Sequence, residues 1–177
     1  MSEKNPEIEY EGRKYLRIPV KTHVIKNGEN ILEIVEKYAT PLLQKGDILF
    51  KNKTTNRWDI IAELVDLVIK NKHIPPEHGA AIKKGLIERE RSMSTGIGRG
   101  VAIPHYTSDL VQDCVMALAV IREGVDFEAI DGNPVRIVIM LLVPKNKLSQ
   151  HVKTLARIAK LMSNEDVRNG IVESNSQ

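Results

Sequence analysis

Apolar side chains recur at helical spacing in four stretches after residue 54, and these stretches predict four helices. Thr55 or Asn56 can cap the first helix with a side-chain oxygen, and Ser149 can cap the third in the same way. The second begins at Pro75, because proline lacks a backbone N–H that would have no partner in a first turn. The predicted helices cover about 57–71, the residues from Pro75 to Arg91, those from Ser149 to Met162, and about 164–173.

Almost uninterrupted apolar runs predict the strands. The runs at 115–122 and 135–143 are typical of central strands that are covered on both faces of a sheet. The Asp-Gly-Asn-Pro sequence at 131–134 is a strong turn signal between them, and a shorter run at 48–50 predicts another strand. Because buried strands alternate with helices, the sequence predicts an α/β domain.

The first 44 residues stand apart from this pattern. Tyr15–Val20 predicts a short strand, and Ile31, Ile34, Val35 and Tyr38 have the spacing of an amphipathic helix. We therefore interpret residues 1–44 as an N-terminal appendage of unknown role. The apolar face of its helix must be covered either by the main domain or by a second chain, and the second arrangement would make a homodimer.

The composition excludes several functional classes. The chain has 177 residues, of which 42% are apolar and 28% charged, as is normal for a globular protein that buries a core. A net charge of +3 gives no electrostatic case for binding nucleic acid or an anionic membrane. The N-terminus lacks the apolar segment of a signal peptide, and the longest apolar run, 137–143, is too short to cross a bilayer. We expect a cytoplasmic protein without direct membrane insertion.

The histidines are the first candidates for chemistry. No pair has the i, i+4 spacing of a zinc-binding helix, and no cysteine or carboxylate cluster accompanies them, so we expect no metal site. His73 and His78 flank a polar connection and are interpreted as solvated turn residues. His105 differs, because it follows a buried-looking segment and the loop Ser94–Gly100, which has three glycines in five residues. Backbone N–H groups freed by such glycines can hold an anion.

These residues also have other interpretations. A dinucleotide-binding loop needs a strand before the glycines and a helix after them, whereas here a helix precedes them, so that motif is excluded. His151 lies near a predicted helix start, which attracts anions, but its position alone favours an ordinary helix histidine. By composition alone, Arg89 is a solvated charge at the end of a helix.

A resemblance to a known family changes the interpretation of His105, His151 and Arg89. Leu86–Glu90 followed by Ser94–His105 resembles the signature of the type-2 EIIA domain, the fructose, mannitol and nitrogen-regulatory class of the bacterial phosphoenolpyruvate:sugar phosphotransferase system. Three later stretches also match, in the right order and spacing: Phe127–Val135, Leu141–Pro144 and His151–Ala156. The resemblance covers about 45–172 and assigns an EIIA type-2 domain to 45–177. It implies an α/β fold with a mixed central β-sheet that is sandwiched by helices on both faces.

The resemblance also implies roles for single residues. The family's active histidine, here His105, takes a phosphoryl group from phospho-HPr and usually passes it to an EIIB domain; a neutral imidazole suits this, with a reference pKa of about 6.5. The family's second histidine falls on His151, which would hydrogen-bond phosphate oxygens, and its arginine falls on Arg89, which would offset phosphate charge. Backbone amides of Gly98 and Gly100 are further candidate donors. No metal or organic cofactor is implied.

Two functions remain open at this point. One is a phosphocarrier that serves sugar uptake, with HPr as donor and EIIB as acceptor. The other is a nitrogen-regulatory EIIA, whose phosphorylation state controls target proteins by binding and which transports nothing. The Gly96-Ile97-Gly98 form of the loop fits the fructose and regulatory members better than the mannitol ones. One departure from the family is Tyr106, at a position that is often small, where it would shape partner docking or cover the site.

Overall fold

The computed structural model of the protein describes residues 7–10, 13–16 and 47–174. Strand β1 (Glu7–Tyr10) pairs antiparallel with β2 (Arg13–Leu16) in a two-stranded sheet. The predicted strand at Tyr15–Val20 overlaps β2 at its first two residues; the rest of that strand and the predicted helix at 31–38 lie outside the described residues. The proposed division after residue 44 also lies outside them, and it stays a prediction.

A mixed sheet of six strands forms the centre of the part of the chain that the structure describes. Its two long strands, β7 and β8, are antiparallel, and β3 lies parallel to β7 at one edge. Both β5 and β6 lie parallel to β8, and β4 pairs antiparallel with β5 at the other edge. The strands are β3 (Ile48–Lys51), β4 (Gly96–Gly98), β5 (Val101–Ala102), β6 (His105–Ser108), β7 (Val115–Val125) and β8 (Val135–Pro144).

Helices cover both faces of this sheet. Successive side chains of a strand point to opposite faces. Ala117 and Ala119 of β7 therefore pack with α1 and α2, whereas Met116 and Leu118 pack with α3 and α4. The helices are α1 (Arg57–Lys70), α2 (Gly79–Ser92), α3 (Leu148–Met162) and α4 (Glu165–Glu173). The predicted fold class, a mixed sheet between helical layers, is confirmed.

A side-chain cap marks the start of α1, whereas 3-10 turns precede α2 and α3. The Asn56 side chain accepts a hydrogen bond from Asp59 N at 2.9 Å, so Asn56 is the cap of α1 that the sequence offered beside Thr55. The predicted cap at Ser149 is wrong, because a 3-10 turn at Lys145–Lys147 continues directly into α3 and leaves Ser149 within the helix. A second 3-10 turn, Pro76–His78, precedes α2.

Candidate functional site

His105 begins β6, and its ring is held in one orientation. Its Nδ1 lies 2.8 Å from the carbonyl oxygen of Ile103. A carbonyl oxygen can only accept a hydrogen bond, so Nδ1 carries the proton that it donates. In the neutral ring, Nε2 is therefore the nitrogen with the free lone pair.

Arg89 reaches this nitrogen from the last turn of α2. Its Nη2 lies 3.4 Å from Nε2 of His105, and its Nη1 donates a hydrogen bond to the carbonyl oxygen of Met93 at 3.0 Å. The guanidinium is thus tied to the end of its own helix while one nitrogen faces the imidazole. This contact replaces the interpretation of Arg89 as a solvated helix-end charge.

The ring of His151 contacts the ring of His105. The two ring centroids are 5.2 Å apart, and the ring planes meet at 77° in an edge contact. Nδ1 of His151 lies 3.4 Å from the hydroxyl oxygen of Thr107, which shares a face of β6 with His105. Nε2 of His151 is buried and has no hydrogen-bond partner, and the residue as a whole is 8% exposed. An unpaired buried nitrogen costs stability, and a functional role is one reason for it to persist.

Burial dominates the electrostatics of both rings. It lowers the pKa of His105, and the charge of Arg89 lowers that pKa further, while the hydrogen bond to Ile103 and the charge of Glu90 oppose these effects. Burial also lowers the pKa of His151, with smaller contributions in the same direction from His105 and Arg89. Both imidazoles are therefore neutral at neutral pH, which leaves Nε2 of His105 able to act as a nucleophile.

Glu90 and Thr95 are a pair that the sequence gave no reason to single out. Glu90 is 1% exposed, and its carboxylate accepts hydrogen bonds from Thr95 N at 3.0 Å and from Thr95 Oγ1 at 2.5 Å. These bonds tie the end of α2 to the start of the glycine loop. They satisfy a buried charge immediately after Arg89 in the sequence, and so they fix the helix end that carries the guanidinium.

The glycine loop is the turn of the β4–β5 hairpin. Gly98, Arg99 and Gly100 have φ angles of 86°, 58° and 75°, in the region that favours glycine. The Arg99 N–H donates to Oδ2 of Asp131 at 2.7 Å. Burial has little influence on this exposed carboxylate, and hydrogen bonding, chiefly from the Arg99 N–H, lowers the pKa of Asp131. The loop is thus tied to the turn that precedes β8.

The register of β8 shows how far this turn lies from His105. Val101 pairs with Ile137, and His105 pairs with Leu141. Four residues of strand span roughly 13 Å, so the turn and the histidine lie at opposite ends of this segment. The structure therefore does not bring Gly98 and Gly100 to His105, and a direct contact between their amides and a phosphoryl group on His105 is not supported.

The remaining candidates do not form a second site. His73 is not solvated as expected: its Nε2 lies 3.0 Å from Oδ1 of Asp47, which is buried at the start of β3. Among the residues that the structure describes, no group of three or more His, Cys, Asp or Glu could hold a metal ion. Within the same residues, every helix falls short of the length and apolar character needed to cross a membrane.

Comparisons with known proteins decide the family. The family model described as "Phosphoenolpyruvate-dependent sugar phosphotransferase system, EIIA 2" matches residues 41–177. The chain belongs to this EIIA type-2 family. The match includes both histidines, the arginine and the glycine loop, and its start lies close to the predicted boundary at residue 45.

Similar proteins fall into both subclasses that the sequence left open. The fructose-specific EIIA component of Haloferax volcanii is 30% identical over 146 residues, which cover 82% of this chain and 85% of that protein. The fructose-specific EIIABC component of Bacillus subtilis is 30% identical over 138 residues; these cover 78% of this chain but only 21% of that protein. The crystal structure of the nitrogen regulatory protein IIA-Ntr from Neisseria meningitidis is 30% identical, with a TM-score of 0.70, over 76% of this chain and 90% of that one.

Proposed function

We propose that this EIIA protein is a histidine phosphocarrier in which Nε2 of His105 accepts a phosphoryl group from phospho-HPr. The observation that carries the proposal is the environment of this nitrogen: it carries no proton in the neutral ring, Arg89 Nη2 lies 3.4 Å away, and the His151 ring makes an edge contact with the His105 ring. Phosphoryl transfer needs little covalent help from a protein beyond such positioning and charge stabilisation.

The bonds exchanged in the step are simple. The lone pair on Nε2 of His105 attacks phosphorus, an N–P bond forms, and the N–P bond to the HPr imidazole breaks. The electron pair of the broken bond returns to the HPr ring. The proton on Nδ1 stays in place, because it is held by the carbonyl oxygen of Ile103. No proton has to leave His105 before the attack.

Arg89 and His151 support this transfer in different ways. The guanidinium of Arg89 would offset the negative charge that spreads over the equatorial phosphate oxygens. The Thr107 hydroxyl lies 3.4 Å from Nδ1 of His151 and can donate a hydrogen bond to it, an arrangement that requires the form of His151 with its proton on Nε2. That N–H is buried and has no partner, so a phosphate oxygen would satisfy it.

The acceptor proposed for the onward step is an EIIB domain. An EIIA of the same fold, enzyme IIA of the Escherichia coli mannitol system, has been solved in complex with its phosphorylated enzyme IIB, at 20% identity and a TM-score of 0.55. The fructose-specific EIIA of Haloferax volcanii favours sugar uptake for this chain as well. The likeness to IIA-Ntr of Neisseria meningitidis favours the alternative, in which phosphorylation of His105 controls a regulated target protein.

One reconstitution tests acceptance and separates these alternatives. The full chain is incubated with phosphoenolpyruvate, enzyme I and HPr, and the acid-labile phosphate is measured before and after a fructose-class EIIB domain is added. We expect labelling that His105→Ala abolishes, followed by transfer of the label to EIIB. Label that stays on the protein would favour the regulatory function. Wild-type labelling of His105→Ala would reject the phosphocarrier assignment.

The N-terminal appendage takes no part in this proposed chemistry. Residues 1–44 carry none of the matched motif, so a fragment of 45–177 should still accept a phosphoryl group, although with lower stability or a changed oligomeric state. Phosphotransfer and size-exclusion measurements on the fragment test this. A well-folded fragment that fails to accept phosphate would show that the domain boundary is wrong.

A further inference from the structure

Tyr106, the residue after the proposed nucleophile, packs against the backbone of α2. Because side chains alternate along β6, His105 and Thr107 face His151 while the Tyr106 ring points to the opposite side, toward α1 and α2. A Cβ atom added to Gly85 of α2 would lie 2.2 Å from Cζ and 2.5 Å from Cε1 of that ring. The ring therefore lies directly on Gly85, and no larger residue fits there without movement.

This contact lies one helical turn from the site. Gly85 and Arg89 are four positions apart in α2, so they lie on the same side of the helix. Tyr106 and His105 are consecutive residues of β6. Two adjacent contacts, Tyr106 with Gly85 and His105 with Arg89, therefore join the same helix to the same strand.

The other contact of Arg89 cannot set its distance from His105. Nη1 of Arg89 donates to the carbonyl oxygen of Met93, at the end of its own helix, so this bond moves with α2. The separation between α2 and β6 depends on what packs between them. Next to Arg89, that packing is the aromatic ring of Tyr106 against the bare backbone of Gly85.

We propose that Tyr106 is a positioning residue, which together with Gly85 fixes the separation of α2 and β6 and so holds Arg89 against His105. This inference rests on the proposed phosphoryl acceptance by His105. It assigns to Tyr106 a role in building the site, in place of the partner docking or covering that the sequence suggested.

The variant Gly85→Ala tests the proposal by pushing the helix away from the ring. We expect phosphoryl acceptance from phospho-HPr to slow about tenfold, roughly the effect of losing one charge-assisted hydrogen bond. Tyr106→Phe keeps the ring and should transfer at the wild-type rate. In a Tyr106→Gly background, where the obstructing ring is absent, Gly85→Ala should have no further effect on the rate.

The coupling to Arg89 distinguishes positioning from a general loss of stability. Arg89→Ala should slow transfer strongly in the wild-type background but less than about threefold in the Gly85→Ala background, because the guanidinium is already displaced. Ile171→Val, a core change on the opposite face of the sheet, is the control for lost stability and should leave the Arg89 effect intact. An undiminished effect of Arg89→Ala in the Gly85→Ala protein would overturn the proposal.

A second readout needs no phosphoryl donor, so it separates this proposal from the proposed function. The charge of Arg89 helps to lower the pKa of His105, which NMR titration of the imidazole measures directly. Gly85→Ala should raise that pKa, and adding Arg89→Ala should raise it no further. If wild-type protein accepts no phosphate yet the titrations behave in this way, the proposed function fails and the positioning role stands. Equal pKa values in wild type and Gly85→Ala would reject the positioning role.

Discussion

The glycine end of residues 96–108 is held by hydrogen bonds to neighbouring groups. Backbone angles with positive φ form a tight turn, and two of its backbone polar groups have partners outside the loop. Arg99 N donates to Asp131, and the Gly100 carbonyl oxygen accepts from Arg136 N at 2.8 Å and from Ile137 N at 3.0 Å. Because these backbone groups already have hydrogen-bond partners within the protein, they stabilise the turn and are not available to a ligand.

The histidine end of the same segment has unused hydrogen-bonding capacity. Nε2 of His105 faces one nitrogen of Arg89 at the long distance of 3.4 Å, and Nε2 of His151 is buried without a partner. A group that binds and leaves repeatedly needs donors that are not already committed elsewhere. This contrast supports the proposal that side chains, and not the glycine loop, bind the phosphoryl group.

Among substitutions at the histidine end, we expect His151→Ala to have the largest effect on the rate of phosphoryl transfer. The variant should still accept phosphate on His105, but the rate should fall by about 10²–10³, as is typical when one preorganised donor is lost. Rapid-quench measurement of transfer from phospho-HPr checks this, with Val152→Ala, an exposed neighbour on α3, as the control. Wild-type rates in His151→Ala would remove His151 from the site.

A smaller effect is expected for Arg89→Lys. The substitution keeps the charge but loses the planar geometry that places one nitrogen on Met93 and another beside His105, so transfer should slow roughly tenfold with unchanged folding. The same kinetic assay and a thermal melt measure both quantities. Arg91→Lys, at the same helix end, is the matched control. If the two lysine variants behave alike, Arg89 has no specific role in transfer.

At the glycine end, we expect Gly100→Ala to lower stability without slowing phosphoryl transfer. A new Cβ has room, with its nearest neighbour at 3.7 Å, but the positive φ should cost about 1–2 kcal/mol in the free energy of unfolding. Phosphoryl acceptance by His105 should not change, because the turn does not reach the histidine. Urea unfolding and the transfer assay together decide this. A Gly100→Ala protein with wild-type stability and slow transfer would show that the glycine loop contributes to the phosphate site.

The smallest expected effect is on the pH dependence of stability. Burial holds the pKa values of His105 and His151 below 6.5, so the unfolded chain binds protons at these sites more readily than the folded one. Stability should therefore fall as the pH drops below about 6.5, and continue to fall until the folded pKa values are passed. His105→Gln should lose less stability than wild type between about pH 7 and pH 5 in urea titrations. Equal losses would contradict the lowered pKa of His105.

The sequence predicted the elements whose signal is strong locally. Strands β7 and β8 and helices α1 and α4 lie where the pattern predicted them. Burial on both faces gives a strand a continuous apolar run, and burial on one face gives a helix apolar residues at helical spacing. Strand β6 was not predicted. Its sequence, His-Tyr-Thr-Ser, has no apolar run, and the strand exists because it pairs with β8. Pairing of this kind is a tertiary effect that a local pattern does not record.

The residues of the candidate site were also predicted only in part, because contacts between elements leave no local pattern in the sequence. His105, Arg89 and His151 were named through the resemblance, and the structure brings their side chains together from β6, α2 and α3. The glycines were expected beside His105 because they are close in sequence, yet the extended backbone between them carries them apart. The Glu90–Thr95 and Tyr106–Gly85 contacts depend on side-chain packing between elements, for which the spacing of residues gave no signal.

The proposed function requires that one atom, Nε2 of His105, carries the phosphoryl group. Nitrogen-15 and phosphorus NMR of the protein phosphorylated by phosphoenolpyruvate, enzyme I and HPr identifies the bonded nitrogen directly. We expect a single phosphohistidine with the N–P bond at Nε2 of His105, with Nδ1 still protonated and hydrogen-bonded to Ile103, and no such signal in His105→Ala. A phosphate on Nδ1 of His105, or on His151, would show that Nε2 of His105 is not the phosphoryl acceptor.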